Sequence, residues 1–257
     1  MSSPLSLLSL VRLANTFPPS ARSECIPVFV GPTQIGLCHP SILPLLRTAP
    51  AAFTVREASQ SVEINPTLDT PAARTGAVDA AFRTWRGVAD CPGLKGWRDE
   101  KFDVWGDEGV LMEIERAAVG AVGCRAYGYV LSWNSRYLQS KIAPSPPLPQ
   151  PPAPVHRSKS KQTYPGMLDN LVGGGLTSGA NPHAVMVKEC HEEAGIDPDL
   201  AAAMVPCGAI TFWLASYERG IIPDTEYVFD MELPETFRPS AVDGEVEEFY
   251  CWGIDEV

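Results

Sequence analysis

Glu189, Glu192 and Glu193 are the residues whose type and spacing most directly suggest chemistry. At i, i+3 and i+4 of a helix they place three carboxylates on one face. A bare helix disfavours this: like charges at that spacing cost a few tenths of a kcal/mol per pair, on the order of 0.2–0.5. Acids in a last turn also oppose the helix macrodipole, by roughly 0.3–1 kcal/mol each. Lys188 and His191 offset this only in part. A divalent cation would reverse the sign of these terms. Hard oxygen donors on a rigid helix suit Mg2+ or Mn2+, with waters and phosphate oxygens completing the shell. The three residues taken alone read first as a solvated acidic helix face, which is the commoner occurrence.

The element that must carry them is well delimited. Asn181-Pro182 is a strong helix start, because Asn is a favoured N-cap and Pro is favoured at the first helical position. Gly195 is a natural stop. The spacing therefore predicts a helix over 182–194, with Ala184, Val187, Cys190 and Ala194 as its buried stripe and Met186 nearby. Before it, Gly173-Gly174-Gly175 and Gly179 read as a glycine-rich turn that lets backbone approach a ligand or another strand.

The rest of the chain bounds the class of substrate. Of 257 residues 45% are hydrophobic, enough for a sizeable core, and the net charge is -11. A surface this acidic repels phosphate backbones, so nucleic acid is not an expected partner. A small-molecule diphosphate remains compatible if a metal screens the charge. Seven scattered Cys without a C-x-x-C pattern read as reduced thiols, which points to the cytoplasm. No apolar run approaches the ~20 residues of a membrane span, so no membrane partner is expected. Residues 1–22 hold no acid and carry Arg12 and Arg22. They read as a first helix, with Leu7, Leu10, Val11 and Ala14 on one face, ending near Phe17-Pro18-Pro19. A mitochondrial transit peptide is the alternative.

Further elements follow from local patterns. Residues 26–37 read as two strands around a Gly-Pro turn, 40–47 as a short helix, and 54–64 as one strand. Residues 71–87 have helical spacing at Val78, Ala81, Phe82 and Trp85. Strands are expected at 110–116, with Val110, Met112 and Ile114 on one face, and at 124–133, 205–217, 226–233 and 248–254. Residues 143–154 hold seven prolines and read as an extended linker or exposed loop.

Together these residues resemble the Nudix box, running from Gly174 to Ile196. Its specific part is the ending Lys188-Glu189-Cys190-His191-Glu192-Glu193-Ala194-Gly195-Ile196. Lys188 stands where Arg is usual, and Ala180 where a first Glu is expected. The flanks resemble the thiamine pyrophosphokinase-related Nudix subfamily. They comprise Lys161 to Asn170, Trp97-Arg98-Asp99-Glu100, Glu115-Arg116-Ala117-Ala118 and Asp243 to Phe249.

The resemblance implies an α/β (α+β) fold: a Nudix α/β/α sandwich over 109–257 preceded by a small α+β domain over 1–108. The proline-rich stretch 134–156 then reads as an insertion, and a C-terminal helix of the relatives is expected to be missing. It implies hydrolysis of the phosphoanhydride of thiamine diphosphate, or of its oxidised analogues, to the monophosphate and phosphate. Roughly one to three divalent cations would bridge Glu189, Glu192, Glu193 and the diphosphate. Glu245, with Glu247 close behind, is the candidate to orient the attacking water. Its segment reads equally as a charged turn before a strand. Candidate substrate contacts are Lys161 for phosphate, Gly174 and Gly175 for close backbone approach, and Trp97, Tyr127 or Tyr164 for an aromatic wall. Core packing is the competing reading of those aromatics, and a solvated surface side chain that of Lys161. Two alternatives remain open: hydrolysis of ADP-ribose or a nucleotide sugar, and a non-catalytic binding module. Oligomeric state is not legible in the sequence.

Overall fold

The computed structural model describes residues 7–87, 91–134, 153–159, 166–216, 218–234, 236–240, 242 and 246–250. The architecture is mixed α+β, with several sheets and helices. It divides into two compact units interleaved along the chain. The first takes residues 1–127, 177–179 and 211–225; the second takes 128–176, 180–210 and 226–257. The boundary near 108/109 expected from sequence falls in the turn of a hairpin, β5 (Lys101–Gly106) and β6 (Gly109–Glu115), whose strands both lie in the first unit.

In the first unit, α1 (Leu7–Ala14) is followed by β1 (Ile26–Val30) and β2 (Thr33–Cys38), which form the hairpin the Gly-Pro turn predicts. Val11 of α1 is exposed, where an apolar face was expected. A short helix, α2 (Leu43–Leu46), precedes β3 (Phe53–Arg56) and β4 (Ser61–Ile64). The sheet order is β2-β1-β4-β3, with β1 and β4 parallel. The single strand expected over 54–64 is thus a hairpin. α3 (Pro71–Trp85) starts at Thr70, whose hydroxyl accepts from Ala73 N–H at 3.2 Å, and packs on β6. Its buried face comprises Thr75, Val78, Ala81, Phe82 and Trp85; Phe53 stacks on Trp85, and Phe82 meets both rings edge to face. Burying Val78 or Phe82 contributes roughly 1.5–3 kcal/mol each. A one-turn helix, α4 (Val119–Val122), follows β6.

The second unit holds most of β7 (Ala126–Asn134), together with β8 (Ala153–Arg157), β9 (Leu168–Asp169) and β10 (Gly173–Gly175). Helices α5 (Pro182–Ala194) and α6 (Pro198–Ala201) follow. Strand β11 (Val205–Ser216) leaves this unit after Ile210, β12 (Gly220–Glu232) enters it at Glu226, and β13 (Val246–Tyr250) ends the described chain. The strand orders are β10-β7-β12-β11 and β13-β8-β9. Ala153–Arg157 form a strand although the proline-rich reading reaches residue 156; the rest of that stretch, 135–152, lies outside the described residues. Met186, Cys190, Ala194 and Ile196 pack with Tyr129, Leu131, Val172, Phe229 and Met231 as the core of this unit. Among the described residues no helix is long and apolar enough to cross a membrane.

Candidate active site

Helix α5 has the limits its sequence predicts. Asn181 Oδ1 accepts from Ala184 N–H at 3.1 Å, and Pro182 occupies the first turn. Gly195 closes the helix at φ 66°, where its N–H is held by the Cys190 and His191 carbonyls. A Cβ there would also meet Ser240 Oγ at 2.7 Å.

The buried seam differs from the expected stripe. Ala184 is exposed and Val187 half-buried, while Met186, Cys190, Glu193 and Ala194 are buried. The three carboxylates are therefore graded from solvent to core. The Glu192 side chain is 38% exposed, Glu189 23%, and Glu193 as a residue only 7%. A buried carboxylate needs donors. Glu193 Oε2 accepts the Gly173 N–H at 3.1 Å.

The other two carboxylates converge on one cation. Lys188 Nζ stands 2.6 Å from Glu192 Oε2 and 3.5 Å from Glu189 Oε1. Its hydrogen bond to Glu192 pushes the Lys188 pKa upward. Glu189 and Glu192 are thus placed to share a positive charge, as hard ligands of a divalent cation must be. Among the described residues, however, no group of three or more His, Cys, Asp or Glu side chains stands together as a formed metal cluster. Glu193 would complete such a set only by sharing its commitment to Gly173. On this test the donor chemistry fits, with two carboxylates aimed and a third held back.

Gly174 and Gly175, read as part of a turn, lie in strand β10 instead. Gly173, Gly174 and Gly175 pair antiparallel with Val130, Tyr129 and Gly128. A Cβ on Gly174 would meet the Tyr129 hydroxyl at 2.8 Å, so close approach to a neighbouring strand is what these glycines provide. Tyr129 had no signal in the sequence, since its role depends on this pairing.

Lys161, Tyr164 and Glu245 lie outside the described residues. The chain on either side of Glu245 is placed. Ser240 N–H donates to Ala194 O at 3.1 Å and Val242 N–H to Glu192 O at 2.8 Å, so this segment runs along the last turn of α5. Beyond it, Glu247 is the extra residue of a bulge against β8 and accepts from Lys159 N–H at 3.1 Å.

Trp97 belongs to the core of the first unit and is 6% exposed. Its indole N–H donates to Asp99 Oδ1 at 2.9 Å, and Arg83 and Arg86 lie 4.8 and 5.6 Å from its ring centre. The Trp97 hydrogen bond, then one from Arg83 Nη2 at 2.7 Å, hold the Asp99 pKa down, and the charges of Arg83 and Arg86 add to this. The segments around it interlock: Arg98 N–H donates to Glu115 Oε1 at 3.1 Å, and Arg116 donates to Glu100 Oε2 at 2.9 Å. In the same unit, Ser178 Oγ lies 2.6 Å from Asp103 Oδ1 and 2.8 Å from Glu113 Oε1. This fastens the loop that leads toward Asn181 to the β5–β6 hairpin. Sequence reasoning had no signal for the clamp, because its partners are 65 or more positions apart.

Residues 6–126 match the family described as Domain of unknown function (DUF4743). Over 242 residues, 91% of this chain, the sequence is 32% identical to Nudix hydrolase 24, chloroplastic, of Arabidopsis thaliana. It is also 32% identical over 244 residues to Nudix hydrolase 20, chloroplastic, of the same plant. The chain spans 61% and 62% of the length of these relatives. Among solved structures, the M. Smegmatis Nudix hydrolase RenU aligns with 49% of this chain and 69% of its own at 17% identity, with a TM-score of 0.29. The chain is thus similar, over most of its own length, to two curated proteins named as Nudix hydrolases.

Proposed function

We propose that this chain is a metal-dependent Nudix diphosphatase that hydrolyses thiamine diphosphate, or its oxidised analogues, to the monophosphate and phosphate. The observation that carries the reading is the convergence of Glu189 and Glu192 on a single positive charge, on a helix with the box's spacing and caps. Mg2+ or Mn2+ would take the place now held by the Lys188 ammonium, with Glu193 as third donor. The ion would neutralise charge on the diphosphate and lower the pKa of water.

The chain's own residues do the positioning. Asn181 and Gly195 fix the ends of α5, and Glu193 ties its last turn to β10. Ser240 and Val242 donate to carbonyls of that same turn, and the acidic segment that follows them in the sequence supplies the candidates to orient a water, Glu245 and then Glu247. The thiamine preference rests on the flanking resemblance. Trp97 supports it least, since its ring is already covered by Arg83 and Arg86.

The test is phosphate release from thiamine diphosphate and its oxo analogue with Mg2+, repeated with chelator, on protein shown to be folded by circular dichroism. Chelator-sensitive release from either is expected. Hydrolysis of ADP-ribose alone, read as AMP and ribose 5-phosphate, would replace the substrate assignment, and no hydrolysis of any diphosphate by folded protein would overturn the enzyme.

A further inference from the structure

A cavity of about 220 Å³ lies within the first unit, bounded by the β1–β2 hairpin, strand β5, residues 123–127 and part of 211–225. Its floor is backbone. Gly36 bridges Cys124, and Leu37 N–H donates to Gly123 O at 3.3 Å. A Cβ on Gly36 would run into Val122 O, and one on Gly123 into Leu37 O. Both hairpins beside it carry a one-residue bulge: Ile35 is the extra residue in β2, and Leu111 is the extra residue in β6, opposite the Val104–Trp105 step. Bulges bend a strand and re-aim side chains, and they recur beside binding sites.

The walls combine aromatic rings with one cation. Trp105, Tyr127 and Trp213 line the cavity, and Trp105 is 51% exposed. Arg125 is half-buried in the lining. It donates to the neutral hydroxyl of Thr225 at 2.8 Å, and it forms no ion pair among the described residues. The nearby Asp224 makes no ion pair with it; burial raises the Asp224 pKa, and the fields of Arg219, Arg116 and Arg125 act in the opposite direction. A half-buried guanidinium with no carboxylate in direct contact favours an incoming anion.

We propose that this cavity binds a single-ring aromatic or heteroaromatic anion, with Arg125 pairing the anionic group and Trp105 and Tyr127 flanking the ring. The size fits: a cavity of about 150 Å³ accommodates benzene, so this one holds one ring and one carboxylate or phosphate substituent. The planar fork of arginine suits either group. Because the chain carries a net charge of -11, a local cationic site is needed for any anion to stay. The proposal does not depend on the hydrolase reading.

The test is titration of the full chain, in chelator, with benzoate, nicotinate and phenyl phosphate, followed by tryptophan fluorescence. Benzamide and nicotinamide serve as neutral controls. At least one anion is expected to saturate below about 10 mM, with its neutral counterpart roughly tenfold weaker or worse. Arg125→Gln should weaken binding by about tenfold or more. Trp105→Ala should weaken it several-fold, and Glu189→Gln should leave it unchanged. A preference for the carboxylates or for phenyl phosphate then identifies the anionic group. The proposal is overturned if no anion saturates, if the neutral amides bind as well, or if Arg125→Gln binds like the wild type. Should Arg125→Gln not fold, Trp105→Ala decides alone, since its side chain is already half in solvent; unchanged binding there overturns the site.

Discussion

Glu193 Oε2 accepts the Gly173 N–H at 3.1 Å, joining the last turn of α5 to strand β10. A buried carboxylate that holds a backbone donor is a structural element as well as a candidate ligand. Glu193→Ala leaves that donor without its acceptor and opens a small void, so a stability loss of about 1–3 kcal/mol is expected. Glu193→Gln keeps a carbonyl acceptor and should lose about half as much or less. Urea unfolding of the two variants checks this. Equal stability of Glu193→Ala and wild type would leave Glu193 no part in holding β10.

Glu192→Gln should reduce metal-dependent hydrolysis by about 100-fold or more, because one anionic donor of the proposed site is lost. Stability should barely move. The Lys188–Glu192 pair, at 2.6 Å and largely in solvent, contributes only about 0.3–0.5 kcal/mol. Relief of repulsion with Glu189 offsets a similar amount, about 0.2–0.5 kcal/mol. Steady-state phosphate release, set beside a thermal melt, separates the two effects. Near-normal turnover would remove Glu192 from the site.

What was legible in the sequence was what local chemistry decides. Helix α5 could be bounded to the residue because Asn181, Pro182 and Gly195 each act within one turn of the chain. The β1–β2 hairpin followed from Gly31-Pro32 in the same way. The β3–β4 turn was missed because residues 57–60 contain no Gly, Pro, Asn or Asp, and Gln60 takes the left-handed conformation at φ 45°. β12 was begun too late, since Pro223 argues against a strand that nonetheless runs from Gly220. β5 was not anticipated at all. The burial of Glu193 had no sequence signal, because its partner is a backbone N–H twenty positions away.

Gly174 and Tyr129 offer a paired test of the β10–β7 contact. An alanine methyl at 174 would sit 2.8 Å from the Tyr129 hydroxyl and 3.1 Å from the adjoining ring carbon. Gly174→Ala should therefore cost about 1–3 kcal/mol through overpacking. In Tyr129→Phe the nearest atom is gone, so adding Gly174→Ala to that background should cost less. A coupling of about 0.5 kcal/mol or more is expected from the double-mutant cycle. Strict additivity would mean that the strand shifts bodily and the hydroxyl is not the obstacle.

Cys190 reports on the same helix through its thiol. Burial, and then the fields of Glu193 and Glu189, push its pKa from 9.0 up to about 12. The sign of the linkage follows. Below pH 9 the thiol is neutral in both folded and unfolded chains, and stability does not depend on it. Between pH 9 and 12 the unfolded thiol ionises while the folded one does not, so the unfolded state gains. Each pH unit in that window should remove about 1 kcal/mol through Cys190. Cys38 and Cys124, pushed to similar values by burial, act in the same direction. Cys190→Ala should therefore lose less stability than the wild type between pH 9 and pH 10.5, whatever its offset at neutral pH. At pH 8 an alkylating reagent should modify the exposed Cys207 in the native chain and reach Cys190 only on unfolding. Peptide mapping after a short pulse distinguishes the two thiols, and rapid native labelling of Cys190 would show that α5 does not hold its buried face closed.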